Sequence, residues 1–63
     1  MRIEIGKEYI EKENPRQDMG GSNVYYRLTH LDDKNAYLLA VNDLQSIMVS
    51  LDLFKEIYVE GCE

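Results

Sequence analysis

VYYRLTHLDDKNAYLLAVNDLQSIMVS, which spans residues 24–50, is the stretch that decides the fold. Its apolar runs, at 24–31, 36–41 and 46–50, are rich in Val, Ile, Leu and Tyr, which favour a pleated, half-buried surface. The runs between them, DDKN and NDLQ, contain Asp and Asn, which bond their own backbone and tolerate left-handed dihedral angles. The stretch therefore predicts three antiparallel strands joined by two tight turns.

The parity of side chains assigns faces to these strands, because alternate residues point to opposite sides of a sheet. In the first run, Val24 and Tyr26 share one face, while Tyr25 and Arg27 share the other. The middle run, residues 36–41, is apolar on both faces. That pattern is typical of a central strand that is covered on both sides.

The chain before this stretch predicts one further strand and a long loop. Residues 2–6 alternate polar and apolar side chains, and Gly6 is placed to bend this strand. Residues 7–12 continue in an extended or turning form. Residues 13–22, which include Pro15 and a Gly-Gly pair, read as the longest structureless run. A connection of that length in a small domain is either mobile or functional.

After the central stretch, residues 50–55 predict one short 3-10 turn. Ser50 or Asp52 is placed to cap it, and Leu53 and Phe54 are expected to close one end of the core.

Residues 56–60 alternate cleanly and predict a final edge strand with charge on its outer face. Ile57 and Val59 share the face toward the core, and Tyr58 lies on the opposite face. Residues 61–63 form a tail.

A different interpretation joins residues 44–58 into one C-terminal helix on a β-meander, which is an α+β fold. Apolar side chains recur there at helical spacing, Asn42 or Asp43 stands where a cap is needed, and Gly61 where a helix ends. Lys55 would then lie inside the apolar stripe, and the segment is rich in β-branched residues. The all-β interpretation is therefore preferred.

Five short strands, a long first loop, two tight turns and a helical turn before the last strand form a layout that resembles the SH3-like small β-barrel. Residues 5–9 and 53–58 are also similar to segments of small barrel proteins from bacteria and their phages. The resemblance implies a single all-β domain over residues 1–63, folded as a five-stranded SH3-like barrel. Binding of proline-rich peptides is not implied, because the chain has no Trp and no ALYDY-type aromatic patch.

Charge is distributed unevenly along the chain. Twelve acidic and seven basic residues give a net charge of −5, and residues 35–63 hold five of the acids but only one base, Lys55. A phosphate-binding surface needs clustered Lys and Arg. Nucleic-acid binding is therefore disfavoured, although a nucleic-acid- or nucleotide-binding barrel that uses the loop at 13–22 stays open as the alternative function.

The sequence offers little for chemistry. His30 is the only histidine, and Asp32 or Asp33 is near enough to pair with it, but no motif places a nucleophile beside them. His30 and Cys62 supply only two of the usual zinc ligands, and the acids lack the spacing of a calcium loop. We expect no catalytic residue, no metal and no cofactor.

The compartment is expected to be the cytoplasm. With Cys62 as the only cysteine, no disulfide can form within the chain, whereas a secreted domain of this size usually carries several. No segment approaches the ~20 apolar residues of a membrane span, and the first residues lack the apolar core of a signal peptide. We expect no contact with a membrane.

The five tyrosines are the most suggestive feature. Tyr26 and one side of Tyr37 are expected in the core, whereas Tyr25 and Tyr58 fall on the opposite faces of their strands. Exposed tyrosines near Arg27 suit a protein-binding hot spot. The alternative is that these rings cover the edge of the core and keep their hydroxyls in water.

These observations predict a non-enzymatic protein-interaction module, an inhibitor or accessory factor of a phage or bacterium that binds a partner protein. The predicted binding residues are Tyr25, Arg27, Tyr37, Glu56, Tyr58 and Glu60. A homodimer formed through the edge strand at 56–60 is a further option.

Overall fold

The fold is one open sheet of five antiparallel strands with a single helix. The structure is a computed structural model that describes residues 3–61. Its elements, in chain order, are β1 (Glu8–Glu11), β2 (Tyr26–Leu31), β3 (Asn35–Ala40), β4 (Ser46–Ser50), α1 (Leu51–Ile57) and β5 (Tyr58–Glu60). The strands lie in the order β4-β3-β2-β1-β5. Within residues 3–61, no helix has the length and apolar character needed to cross a membrane.

The central meander, β2 to β4, confirms the three predicted strands and both turns. The first turn is held by Asp32, whose Oδ1 accepts hydrogen bonds from the backbone N–H groups of Lys34 (2.9 Å) and Asn35 (2.6 Å). These backbone donors lower the pKa of the Asp32 carboxyl. A β-bulge between Leu28 and His30 shifts the register of β2 against β3.

The core lies on one face of the sheet, which we call the inner face. Its largest members are aromatic: the Tyr9 and Phe54 rings meet edge to face at 5.0 Å, and Phe54 stacks on Tyr58 at 5.3 Å. Tyr26 meets Tyr58 edge to face at 5.6 Å. The buried residues are Tyr9, Val24, Tyr26, Leu28, Ala36, Leu38, Ala40, Phe54 and Tyr58. Among residues 3–61, no buried side-chain nitrogen or oxygen lacks a hydrogen-bond partner.

The first strand begins later than predicted. Arg2 lies outside the described residues, and residues 3–7 contain no strand. The chain turns at Gly6, which has a φ of 96°, a left-handed conformation that glycine adopts at little cost. Strand pairing starts at Glu8, where Tyr9 reaches the core.

The helix is longer than the predicted 3-10 turn, and far shorter than the alternative helix over 44–58. Of the two predicted caps, Ser50 and Asp52, it is Ser50 that caps the helix, and its Oγ accepts a hydrogen bond from Leu53 N at 3.2 Å. Phe54 enters the core as expected, but Leu53 is 42% exposed. Helix α1 runs on to Ile57, so β5 begins only at Tyr58. Its faces are reversed from the prediction because Glu60 pairs with Tyr9 of β1 and Tyr58 with Glu11, which turns Tyr58 toward the core. Tyr58 is therefore 4% exposed, and its predicted exposure is wrong.

The loop between β1 and β2 has a definite structure, although it was predicted to be structureless. Asp18 Oδ1 accepts hydrogen bonds from Gly20 N and Ser22 N, each at 2.9 Å, and its Oδ2 accepts one from Asn42 Nδ2 at 2.7 Å. The Asn42 bond is the main cause of a lowered Asp18 pKa. The loop is thereby fastened to the turn between β3 and β4, where Leu44 holds a left-handed φ of 59°.

Candidate functional site

The face of the sheet opposite the core carries apolar side chains as well as charged ones. In β3, Ala36, Leu38 and Ala40 are buried on the inner face, so Tyr37 and Leu39 point the other way. The same alternation applies to the neighbouring strands, and we call this surface the outer face. Its residues include Glu8, Ile10, Tyr25, Arg27, His30, Asn35, Tyr37, Leu39, Val41, Ser46, Met48, Ser50 and Val59.

An apolar row crosses the outer face at one end. Val59 pairs with Ile10 between β5 and β1, and Val41 N donates a 2.8 Å hydrogen bond to Tyr25 O. Neighbouring strands lie about 4.8 Å apart. The side chains of Val59, Ile10, Tyr25 and Val41 therefore follow one another across the sheet at contact spacing. The row presents four apolar or aromatic side chains with no charge among them.

Gly61 fixes the position of the Tyr25 ring. A methyl group on Gly61 would lie 2.6 Å from Tyr25 Cδ2 and Cε2, so the ring rests directly on the glycine Cα. Gly61 is buried, and its N–H donates to Glu8 O at 2.9 Å. Gly61 therefore belongs to the folded sheet rather than to the predicted tail, while Cys62 and Glu63 lie outside the described residues.

A charged pair occupies the middle of the outer face. Arg27 Nη2 lies 3.1 Å from Glu8 Oε2 across the paired strands β2 and β1. On its other side Arg27 faces Leu39 of β3. Both charged side chains remain well exposed, so the pair adds little stability but holds the guanidinium over the sheet.

An aromatic corner completes the surface at the other end. The His30 and Tyr37 rings lie 5.1 Å apart, and the Tyr37 hydroxyl donates to Asp32 Oδ2 at 3.0 Å, which raises the Tyr37 pKa. Met48 lies opposite Tyr37 on β4 and is 58% exposed. A shallow groove of about 480 Å³ opens at this corner, between His30 and Met48.

Three of the six predicted binding residues lie on the outer face: Tyr25, Arg27 and Tyr37. Tyr25 is half-buried against Gly61, while Arg27 is exposed. Tyr37 is half-buried on the outer face and is not part of the core cluster, so the expectation that one side of its ring lies in the core is wrong. The structure therefore brings together the members of this group that come from the central meander.

The other three predicted residues lie elsewhere. Tyr58 is in the core, where burial is the main cause that raises its pKa to about 12. Glu60, at the edge of the sheet, accepts a hydrogen bond from Lys7 Nζ at 2.9 Å. Glu56 is exposed on α1, beside Lys12. These residues do not form a common surface with the outer face.

Sequence reasoning missed Ile10, Leu39, Val41 and Met48 as members of the surface. The signal was present in β3, where the run at 36–41 is apolar on both parities. That pattern indicates a strand covered on both sides, yet helix α1 packs only over the inner face, through Phe54.

A second cluster joins the β1–β2 loop to the β3–β4 turn. Arg16 Nη2 lies 3.1 Å from Asp43 Oδ2, and Arg16 Nε donates to the Tyr26 hydroxyl at 3.0 Å. The guanidinium also lies 5.9 Å from the centre of the Tyr26 ring. Every charged group in this cluster is engaged by a protein partner, so its role is to hold the two loops together.

The described residues do not form a metal site. Among residues 3–61, no group of three or more His, Cys, Asp or Glu side chains is arranged to hold an ion. Asp32, one of the two suggested partners of His30, accepts hydrogen bonds from the backbone of its own turn and from the Tyr37 hydroxyl. The hydrogen bonds of Asp32 therefore stabilise the turn between β2 and β3.

Comparison of the chain with models of protein families, with curated proteins and with solved structures finds no match.

Proposed function

We propose that the protein is a non-enzymatic protein-interaction module whose contact surface is the outer face. The observation that supports this is the apolar and aromatic character of a face that is turned away from the core. In an antiparallel sheet with one face on a core, the other face is normally solvated and polar. Here Val41 and Met48 are exposed on that face, and Ile10, Leu39 and Val59 are only half-buried.

The composition of the surface suits recognition of a protein. Tyr and Arg are the residues most enriched in binding hot spots, and Met adapts its shape to different partners. Arg27 is held in place by Glu8, and the Tyr25 ring by Gly61. Side chains that are positioned before binding lose less conformational freedom on association.

The size of the surface limits the strength of binding. Five strands at about 4.8 Å spacing and three rows of side chains cover roughly 400 Å². A standard stable interface buries about 800 Å² on each partner. We therefore infer a transient complex, or one in which the partner also contacts the flanking loops.

Charge restricts the class of partner. The chain carries a net charge of −5, and Arg27 is already paired with Glu8. A neutral or basic protein surface complements this protein, and its association rate should fall as salt is added. An inhibitor or accessory factor that covers a basic site on its partner fits these properties.

Nucleic-acid binding, the alternative function, gains no support from the arrangement of the bases. Lys7, Arg16 and Arg27 each contact a carboxylate, at 2.9 Å, 3.1 Å and 3.1 Å. A phosphate would have to displace those carboxylates.

A matched pair of charge reversals tests the proposed function. A photo-crosslinking residue is placed at Val41, and partners are captured in the cells that produce the protein. Capture by the parent is compared with capture by the Arg27→Glu and Lys55→Glu variants. Both substitutions change the charge by the same amount, but Lys55 is exposed on α1, away from the outer face. We expect Arg27→Glu to reduce capture of the same partner at least ten-fold and Lys55→Glu to leave it nearly unchanged. Equal losses, or none, would contradict the assignment of the surface.

We also propose that the sheet is a SH3-like small barrel, coiled around its core. The strand order β4-β3-β2-β1-β5 and the helix between β4 and β5 support this proposal. An experimentally determined structure tests it. A strongly coiled sheet that leaves the free edge of β4 open is expected, and a flat sheet would contradict it.

A further inference from the structure

Strand β4 is an edge strand without the usual protection. It pairs with β3 on one side only, at the end of the strand order. Natural edge strands carry Lys, Pro, a bulge or an inward charge that prevents pairing with another chain. The five residues Ser46–Ser50 include no charge, no Pro and no Gly. The opposite edge, β5, is only three residues long and includes Glu60.

The register of β4 shows which backbone groups face outward. Leu51 N donates to Lys34 O and Ala40 N donates to Gln45 O, each at 2.8 Å. Hydrogen-bonded pairs alternate along an antiparallel ladder, so Ile47 and Val49 are the residues between these two points that bond to β3. The N–H and C=O groups of Met48 therefore face away from β3, as does the N–H of Ser50.

The sequence of β4 is close to a palindrome. It reads Ser-Ile-Met-Val-Ser, so an antiparallel copy centred on Met48 places Ser46 opposite Ser50 and Ile47 opposite Val49. Met48 then faces its own copy. β-branched residues meet on the inner face, where they favour each other as cross-strand pairs, and no like charges are brought together.

We propose that a second copy of this chain pairs with β4, antiparallel and about a two-fold axis at Met48. This interface is isologous, because each copy offers the same strand. Two chains that each carry a net charge of −5 repel each other in most orientations. Strand β4 has no charged residue, so the repulsion is weakest when the two chains approach along it. Self-complementarity of sequence and of free backbone groups is what selects a second copy over a partner of another sequence.

Pairing at β4 would place the outer faces of the two copies side by side. Met48 stands beside the groove at His30 and Tyr37, so the two grooves would adjoin across the axis. The contact surface offered to a partner would then be doubled. The dimer does not rest on the proposed function. The two are tested by different variants, because Arg27→Glu changes β2 and leaves the sequence of β4 intact.

Sedimentation velocity across micromolar to millimolar protein, with variants Met48→Lys and Met19→Lys, tests the dimer. Both variants gain one charge at an exposed methionine, but Met19 lies in the β1–β2 loop rather than on the edge. We expect the parent and Met19→Lys to approach twice the chain mass of 7.4 kDa, and Met48→Lys to remain at the single mass. A parent that stays at the single mass at millimolar concentration would overturn the proposal, as would Met48→Lys that dimerises like the parent.

Cysteine crosslinking tests the register and does not depend on how Met48→Lys folds. Directly opposed residues of a hydrogen-bonded antiparallel pair have Cα atoms about 5.5 Å apart, which a disulfide can span. In a Cys62→Ser background, we expect mild oxidation to link Met48→Cys to itself at least ten-fold faster than Ser46→Cys or Met19→Cys. Equal rates for the three variants would contradict pairing at Met48.

Discussion

The two faces of the sheet contain similar residues in different surroundings. Tyr9, Tyr26 and Tyr58 lie on the inner face, where each ring meets another aromatic ring within 5.0 to 5.6 Å. Tyr25 and Tyr37 lie on the outer face, where the Tyr25 ring rests on Gly61 and the Tyr37 ring lies 5.1 Å from His30, and both side chains remain half-buried rather than buried. Residue type alone therefore does not separate a stabilising tyrosine from one that is available for contact. What separates them is the helix, which covers one face and leaves the other open.

The inner face depends most strongly on Phe54, the buried residue of α1. Its ring lies between Tyr9 and Tyr58, so Phe54→Ala removes the contact that joins the helix to the sheet. We expect a loss of about 3–5 kcal/mol in the free energy of unfolding, which is most of the stability of a domain this small. Urea unfolding followed by circular dichroism measures it. A loss below about 1 kcal/mol would mean that α1 is not needed to cover the inner face.

Gly61→Ala is the substitution expected to have the largest effect on the outer face. The added methyl group meets the Tyr25 ring at 2.6 Å, so the ring must move from its place on the sheet. Overpacking of this kind costs roughly 1–3 kcal/mol. In a Tyr25→Ala background the same substitution should cost much less, and a double-mutant cycle measures the coupling. Independent, additive effects would show that the Tyr25 ring does not rest on Gly61.

High pH should weaken the inner face through Tyr58. Burial raises the pKa of its hydroxyl to about 12, from 10.0 in a solvated tyrosine. Below pH 10 the hydroxyl is neutral in both states, and above it the unfolded chain ionises first, so stability falls as pH rises toward 12. The loss from pH 8 to pH 11 is about 1.4 kcal/mol for this group. Urea unfolding of Tyr58→Phe should lack that part of the decline, and an unchanged pH dependence would count against a buried Tyr58.

The smallest effect on stability is expected at the charged pair of the outer face. Arg27→Ala removes an ion pair that is well exposed on both sides. Such pairs contribute about 0.2–1 kcal/mol, and salt reduces that contribution. Urea unfolding at low and high salt checks this value. A loss above about 2 kcal/mol would place Arg27 among the residues that hold the fold rather than those that serve contact.

Much of the fold could be predicted from sequence because local chemistry determines it. Asp32 defines the first turn through its own backbone hydrogen bonds, and the period of two in β2 assigns Tyr26 to the core. The register of β5 could not be predicted in the same way. Shifting the pairing register of a strand by one residue turns every side chain to the other face, and the pairing of Glu60 with Tyr9 and of Tyr58 with Glu11 places Tyr58 in the core.

The candidate site could be predicted only in part. Parity within β2 places Tyr25 and Arg27 on one face, and this needs no knowledge of tertiary structure. The addition of Ile10 and Val59 depends on the pairing of β1 with both β2 and β5. Those pairings join segments that are distant along the chain, and no local sequence signal specifies them. The open outer face likewise depends on where the helix packs.

The contrast between the faces is tested most directly by two neighbouring leucines of β3. Leu38 is 1% exposed on the inner face, and Leu39 is half-buried on the outer face. Urea unfolding of Leu38→Ala and Leu39→Ala compares the same deletion one residue apart. We expect Leu38→Ala to lose about 2–5 kcal/mol and Leu39→Ala less than about 1 kcal/mol. Equal losses, or a larger loss for Leu39→Ala, would contradict the division of the sheet into a stabilising face and a contact face.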